Sequence, residues 1–147
     1  MKLIQTLFIS TILFLIASQV FAQKARTIGK IDVEISGIDR IEGDISIGLF
    51  SNVEFFPEYG KAFNSVKLKV ETSKVSYTFK DIPAGDYAIA VFHDENSNGE
   101  LDKNFLGIPS EEYVFSNQAS GTLGPPSFKD AMFTFSDSTK IKLNFNK

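Results

Sequence analysis

Apolar and polar residues alternate with a period of two through most of the chain after residue 27. The alternation runs over residues 28–36, 44–50, 64–71 and 74–80, and it returns over 129–136 and 139–146. Successive side chains of a strand point to opposite faces of a sheet. The pattern therefore predicts six strands, each with one buried and one solvent-facing side.

A seventh predicted strand, over residues 86–93, is apolar on both faces. Its run YAIAVF contains no charged side chain. A strand of this kind is covered on both sides, so we expect it at the centre of a sheet. No stretch after residue 22 carries the stripe of an amphipathic helix. The sequence predicts an all-β protein, a single antiparallel β-sandwich of about seven strands over residues 23–147.

The segment DIPAGDY, residues 81–87, predicts a sharp turn. Pro83 fixes φ and Gly85 can adopt a positive φ, so the chain reverses between two strands. Tyr87 follows at the start of the central strand. We expect its ring to be buried, either as ordinary core or with its hydroxyl bonded back to the turn, as in the tyrosine corner of immunoglobulin-like sandwiches.

The two longest connections, residues 51–63 and 94–128, exceed the length of simple turns. Connections of this length in a compact domain are usually functional or tied to the domain. The first carries Phe55, Phe56 and Tyr59, which predict either an exposed binding patch or a lid over one end of the core. The lid is favoured because large exposed apolar patches are uncommon on monomers.

The N-terminal residues 1–22 have the layout of a secretory signal peptide. Lys2 precedes an uncharged apolar run, and Val20 and Ala22 occupy the positions of a small-residue cleavage site. An uncleaved membrane anchor is the alternative, because the run is about 20 residues long, but no cluster of positive charges follows it. We therefore expect an exported protein, periplasmic or secreted to the cell surface, with no membrane insertion after cleavage.

Charge and cysteine content narrow the classes of partner. The formal net charge is −3, and cleavage would also remove the positive charge of Lys2. A mildly acidic surface argues against nucleic acid and against docking on anionic lipid. The chain has no cysteine, so an exported domain of this size depends on its apolar core or on a metal instead of disulfides.

The segment HDENSNGELD, residues 93–102, is the strongest candidate for chemistry. Counted from Asp94, oxygen-bearing side chains fall at positions 1, 3, 5 and 9, and a glycine stands at position 6. This reproduces the first three-quarters of an EF-hand-type loop, in which position 7 offers its backbone carbonyl. Calcium takes six to eight hard oxygen ligands, so the spacing predicts a calcium site. The predicted ligands are Asp94, Asn96, Asn98, Glu100 and Asp102.

The motif departs from an EF-hand, and a metal-free interpretation stays open. Position 12 is Phe105 instead of a bidentate glutamate, and a predicted strand leads into the loop where an EF-hand has a helix. The missing ligands would come from Asp102 in bidentate form, from water, or from Glu111 or Glu112. With two certain carboxylates we expect a dissociation constant on the order of 10⁻⁴–10⁻³ M. Asx turns alone would also satisfy such a loop without a metal.

His93 is the single histidine, and it gives little support for catalysis. His93 and Asp94 are adjacent in a predicted strand, so their side chains point to opposite faces and cannot pair. We interpret His93 as a strand-end residue that caps the sheet. The sequence has no GxSxG motif and no glycine-rich phosphate loop, so we expect no catalytic residues and no enzymatic activity.

A set of short motifs resembles one bacterial family of small exported proteins, catalogued as domain of unknown function 2141. The motifs are PAGDY (83–87), HDEN (93–96), NG (98–99), GIP (107–109) and FSN (115–117). Val114 stands where a glycine is expected. The resemblance implies a sandwich of immunoglobulin-like or transthyretin-like type and implies no activity. The PAGDY turn and the DxNxNG loop are also similar to features of the calcium-binding B-type repeats of bacterial adhesins.

These features predict a non-enzymatic, calcium-binding interaction module of the cell envelope. We expect a monomer whose partner is an envelope protein or a polysaccharide. A metal-free envelope domain that binds protein or carbohydrate is the alternative. A hydrolase built on the acidic loop, residues 94–102, and His93 is a third hypothesis, which a pocket holding His93 beside two carboxylates would favour.

Overall fold

The computed structural model describes residues 27–146, and the predicted signal peptide, residues 1–22, lies outside them. The strands are β1 (Ile28–Ser36), β2 (Asp44–Phe50), β3 (Asn64–Lys69), β4 (Lys74–Pro83), β5 (Gly85–Asp94), β6 (Tyr113–Phe115), β7 (Phe133–Phe135) and β8 (Ser138–Asn144). A 3-10 turn spans Ser116–Gln118, and a short helix, α1, spans Phe128–Ala131. Across residues 27–146, no helix has the length and apolar character needed to cross a membrane.

The strands form two packed sheets, which confirms the predicted all-β sandwich. One sheet has the order β4-β1-β8, and the other has the order β3-β2-β5-β6, with β7 paired to the start of β5. One pairing departs from the antiparallel pattern, since β1 and β8 run parallel. The chain passes from β7 in one sheet to β8 in the other, so no hairpin forces β8 to run antiparallel to its neighbour.

The period-two alternation accounts for the core between the sheets. Alternate residues of β1, β2 and β5 point inward and are at most 2% exposed: Ile31, Val33, Ile35, Ile45, Ile47, Leu49, Ile89 and Val91. Full burial of a side chain of this kind contributes about 1.5–3 kcal/mol. This cluster is therefore a main source of the stability of the fold.

Strand β5 is buried on both faces, as its sequence predicts. Its outer face carries Ala88, which packs with Phe115 and Ala131 in a second small core. Phe56, from the 51–63 connection, packs its ring 5.7 Å from Phe115. The connection thus lies over the outer face of the five-stranded sheet, whereas the predicted lid lay over one end of the core. Tyr59 and Phe55 stay 56% and 39% exposed.

Two elements differ from the predicted strands. The stretch predicted as strand 129–136 begins as helix α1, because Ser127 and Asp130 form a capping box that satisfies its first amides. Strand β6 was not predicted, because its three residues are too short to show a period. It pairs with β5 at Ala90, Val91 and Phe92.

The predicted tyrosine corner forms at the turn between β4 and β5, but Gly85 does not use the positive φ open to it, and the positive φ of this segment falls instead on Asp81, at 57°. The Tyr87 hydroxyl donates a hydrogen bond to the Pro83 carbonyl at 2.7 Å, and the Tyr87 ring is buried in the main core. This tyrosine corner holds the chain where it passes from the three-stranded to the five-stranded sheet.

Candidate functional site

Asp94 is the last residue of β5 and forms the base of the acidic loop. Its carboxylate is fully buried and accepts three hydrogen bonds. Oδ2 accepts from Lys67 Nζ at 2.8 Å and from the backbone amide of Gly99 at 2.9 Å. Oδ1 accepts from the backbone amide of Asn98 at 2.9 Å. Asp94 therefore organises the loop from within the sheet.

The charge state of Asp94 follows from these contacts. Burial raises the pKa of Asp94, but the Lys67 ammonium and the amides of Gly99 and Asn98 outweigh it, so the pKa lies below its ordinary value of 3.8. The same hydrogen bond raises the pKa of Lys67 above 10.5, against the opposing effect of desolvation. The pair is a buried carboxylate with a partly exposed ammonium, and both groups are charged at neutral pH.

Asn96 and Asn98 curl the loop by Asx turns. Asn96 Oδ1 accepts from the backbone amide of Asn98 at 2.9 Å, and Asn98 Oδ1 accepts from that of Glu100 at 2.8 Å. Gly99 has φ of 89°, a conformation that glycine adopts without steric cost. The turn chemistry of the metal-free interpretation is thus present in the loop.

Asp102 closes the loop through the same two asparagines. Its Oδ2 accepts from Asn96 Nδ2 at 2.7 Å, and its Oδ1 accepts from Asn98 Nδ2 at 3.0 Å. The two amide groups turn the positive ends of their dipoles towards the carboxylate. They balance part of the negative charge that a cation would otherwise balance.

Glu111 holds the two ends of the loop together. Its carboxylate is 7% exposed and accepts from the backbone amides of Glu95 and Asp102, each at 2.9 Å. The backbone amide of Ser110 donates to the Asp102 carbonyl at 2.8 Å, and Glu95 forms an ion pair with Arg40. Both Glu111 oxygens are thereby used on the backbone, although the sequence had suggested Glu111 as a supplementary calcium ligand.

The structure brings the four predicted side-chain ligands into one hydrogen-bonded network. Asp94, Asn96, Asn98 and Asp102 are its members, and Glu100 joins it through its backbone amide. Within the described part of the chain, no group of three or more His, Cys, Asp or Glu residues is placed to hold a metal ion. The predicted set has two carboxylates and otherwise depends on amide and carbonyl oxygens. The calcium site stays a prediction.

His93 lies on the opposite face of β5 from Asp94, as their adjacent positions require. Its side chain is fully buried, and Nε2 lies 2.8 Å from the Glu42 carbonyl oxygen. Among residues 27–146, Nδ1 finds no hydrogen-bond partner. His93 thus links the end of β5 to the segment that precedes β2, within the core and on the face of β5 opposite to Asp94.

Sequence reasoning missed Lys67, and it named Glu111 only as a possible supplementary ligand, not as the residue that closes the loop. Lys67 is 27 residues from Asp94, and only the pairing of β3 and β5 with β2 brings the two side chains to one face. Glu111 lies in the long connection after the motif, where nothing in the local pattern distinguishes it from a surface glutamate. Both contacts depend on tertiary structure, so no short-range signal would have revealed them.

The comparisons with known proteins identify a family. Residues 33–142 match the model of a family described as "Uncharacterized protein conserved in bacteria (DUF2141)". No curated protein matches the chain, and no solved structure matches it. The matched segment contains the DIPAGDY turn, β5 and the whole acidic loop, and it covers well over half of the sequence. The chain belongs to the DUF2141 family.

Proposed function

We propose that this protein is an exported, non-enzymatic binding module whose 94–102 loop takes up a calcium ion with low affinity. Calcium would stiffen the long connection after β5 for contact with a cell-envelope partner, a protein or a polysaccharide. One observation carries the proposal: Asp94, Asn96, Asn98 and Asp102 converge in a single curled loop. The backbone amide of Asn98 donates to both Asp94 Oδ1 and Asn96 Oδ1, at 2.9 Å each.

The donor chemistry of the loop suits calcium. All candidate ligands are oxygens, which hard divalent cations prefer. Asp94 and Asp102 supply negative charge, Asn96 and Asn98 supply amide oxygens, and Glu100 would supply its carbonyl. With no cysteine in the chain and a single, buried histidine, the loop lacks the sulfur and imidazole ligands that zinc and copper favour.

Two contacts keep the expected affinity low. The Lys67 ammonium already balances the charge of Asp94 at 2.8 Å. The side-chain amides of Asn96 and Asn98 bind Asp102, and they must turn away before the carboxylate can bind a metal. Each contact competes with calcium, so we expect a dissociation constant on the order of 10⁻⁴–10⁻³ M, as in other extracellular modules.

The position of the loop explains what calcium would do. Glu111 joins the amides of Glu95 and Asp102, so the loop and the segment leading to β6 are held together at one point. An ion bound within the loop would add a second point. The 103–112 segment would then have fewer conformations to lose when it meets a partner, which favours binding.

Isothermal titration of residues 23–147 with calcium chloride tests the proposal. We expect saturable binding in the millimolar range and weaker binding of magnesium, which demands tighter octahedral geometry. The variant Asp102→Asn removes one of two carboxylates and is expected to weaken calcium binding by at least about tenfold. The variant Glu34→Gln, on the outer face of the other sheet, removes the same charge and should leave binding unchanged.

Two results would refute the calcium proposal. One is an absence of saturable heat at millimolar calcium. The other is equal calcium affinity in the wild type and in Asp102→Asn, which would assign the binding to diffuse acidic surface instead of the loop.

A further inference from the structure

A groove of about 830 Å³ runs over the outer face of the five-stranded sheet. Outward-facing small residues of β2 and β5, Ser46, Gly48 and Ala90, line its floor. The 51–63 connection forms one wall, and the connection between β5 and β6 forms the other. Pockets for small ligands have volumes of roughly 300–1,000 Å³, so this groove has the capacity of a binding site.

The floor of the groove contains a buried hydroxyl without a partner. Ser46 is 4% exposed, and within residues 27–146 its Oγ makes no hydrogen bond. Its register neighbours on the two adjacent strands are Lys67 and Phe92, and the Lys67 ammonium is turned towards Asp94. Burial of an unpaired hydroxyl is unfavourable. A ligand that reaches it after a small shift of the covering side chains would relieve that cost.

Aromatic rings from three parts of the chain line the walls. Tyr59 lies 5.4 Å from Phe92, and Phe115 lies 5.7 Å from both Phe56 and Tyr113, measured between ring centroids. The rings meet edge to face, and Tyr59 and Tyr113 are the more exposed of them, at 56% and 44%. The face of an aromatic ring is electronegative and attracts weakly positive C–H groups.

The charged residues of the groove include both signs. The acidic lining residues are Glu54, Glu58 and Glu100, and the basic ones are Lys67 and Lys103. Lys67 is paired with Asp94, and Glu58 with Lys61. No ion pair with another described residue is formed by Glu54, Glu100 or Lys103. A strongly anionic or cationic ligand would leave one sign unmatched, whereas a neutral ligand with many hydroxyls can bond to carboxylates and ammonium alike.

We propose that this groove binds a neutral saccharide. A sugar ring offers an apolar C–H face for the aromatic walls and hydroxyls for Glu54, Glu100, Lys103 and the buried Ser46. An acyl chain or an apolar peptide would match the walls but would cover Ser46 and the rim charges without hydrogen bonds, at an energetic cost. The combination of aromatic rings, mixed charge and an orphaned hydroxyl therefore selects the saccharide.

The saccharide groove does not depend on a calcium ion in the acidic loop. Glu100 and Leu101 of that loop contribute to one wall, but the floor and the opposite wall come from β2, β5 and the 51–63 connection. Binding measured in the presence of a chelator tests the groove alone. Failure of one proposal thus leaves the other standing.

Nuclear magnetic resonance titration of ¹⁵N-labelled residues 23–147 in EDTA is the direct experiment. The probes are neutral hexasaccharides of glucose, of mannose and of N-acetylglucosamine, added separately. We expect at least one of them to shift the amide resonances of Ser46, Gly48 and Ala90 saturably, while those of β1 and β8 on the other sheet stay in place.

Two variants in the same connection give a matched pair. Tyr59→Ala removes a wall ring and should weaken binding of that saccharide by about tenfold. Phe55 is also a partly exposed aromatic residue but lies outside the groove lining, so Phe55→Ala should change the affinity by less than about twofold.

Ser46→Ala separates ligand recognition from stability. We expect this variant to unfold at the wild-type temperature or above it, because no hydrogen bond is lost, and yet to bind the saccharide severalfold more weakly. The proposal is overturned if none of the three hexasaccharides shifts the groove resonances, if Tyr59→Ala and Phe55→Ala bind equally well, or if an apolar peptide shifts the groove resonances and no saccharide does.

Discussion

The two sheets share one core, but their outer faces differ. The outer face of the three-stranded sheet is polar and charged, with surface ion pairs such as Lys140 to Glu34 at 2.9 Å and Lys30 to Asp32 at 3.3 Å. The outer face of the five-stranded sheet carries a second apolar core, an aromatic groove and a fully buried carboxylate. One face is solvated, and the other is covered by two long connections.

The difference lies in where the polar contacts are exposed to solvent and where they surround a buried charge. Charges on the three-stranded sheet are exposed, so solvent and salt weaken their interactions. On the five-stranded sheet, the acidic loop forms its hydrogen bonds around a buried charge, where each missing partner is costly. Substitutions of the same type should therefore have unequal effects on the two sheets.

The largest effect is expected for Asp94→Ala. The substitution removes three hydrogen bonds, one of them to the Lys67 ammonium, and leaves the amides of Asn98 and Gly99 without their acceptor. We expect a loss of about 3 kcal/mol in the free energy of unfolding, measured with urea. Asp32→Ala on the three-stranded sheet should give a much smaller loss. Equal losses in the two variants would contradict the contrast between the sheets.

Lowering the pH should remove part of the stability that the ionised Asp94 contributes. The folded-state pKa of Asp94 lies below 3.8, so its stabilising effect is complete above pH 3.8 and is lost as the pH falls through the folded-state value. Urea unfolding from about pH 5 to about pH 2 should show a smaller loss for Asp94→Ala than for the wild type. Asp32, whose pKa is lowered chiefly by a hydrogen bond from Thr78, is partly exposed, and Asp32→Ala should follow the wild type more closely.

Glu111→Gln should have an intermediate effect. A glutamine has one oxygen, so only one of the amides of Glu95 and Asp102 keeps its acceptor. We expect a loss of about 1–2 kcal/mol and faster amide hydrogen exchange at both ends of the acidic loop. Glu71→Gln, at the exposed connection between β3 and β4, is the control. Unchanged exchange at Asp102 in the Glu111 variant would refute the role of Glu111 in closing the loop.

Tyr87→Phe, at the link between the sheets, should have the smallest effect. It removes the hydroxyl that bonds the Pro83 carbonyl and leaves the buried ring in place. We expect a loss of about 1 kcal/mol, detected as a lower melting temperature. Tyr113→Phe, whose side chain is 44% exposed, should leave the melting temperature unchanged. A loss in the Tyr113 variant as large as that in Tyr87→Phe would argue against the tyrosine corner.

The length of a strand and the number of its covered faces decided whether the sequence could predict it. Strands β1, β2 and β4 and the central strand β5 were predicted because a half-buried strand shows a period of two and a doubly covered strand shows none. The capping box at Ser127 and Asp130 was readable in the sequence SFKD, although the stretch was predicted as a strand. Strand β6 was too short for a period to show.

The acidic loop was only partly predictable for a different reason. Spacing alone singled out Asp94, Asn96, Asn98 and Asp102, which the structure joins in one hydrogen-bonded network, because the residues of a curled loop are local in sequence. Lys67 and Glu111 act through tertiary contacts that no local pattern records. The groove forms where two long connections flank the outer face of one sheet. In the sequence, the strand around Ser46 that forms its floor looks like any other alternating strand, so no local pattern predicts the groove.

The central claim is that the acidic loop on the five-stranded sheet binds calcium. Nuclear magnetic resonance titration of the ¹⁵N-labelled protein with calcium chloride tests it most directly. The account predicts that the amide resonances of Asn98, Gly99 and Glu100 move together and saturate with a millimolar midpoint, while those of Asp32 and Glu34 stay in place. Loop resonances that do not move, or that move without saturation along with those of Asp32 and Glu34, would contradict it.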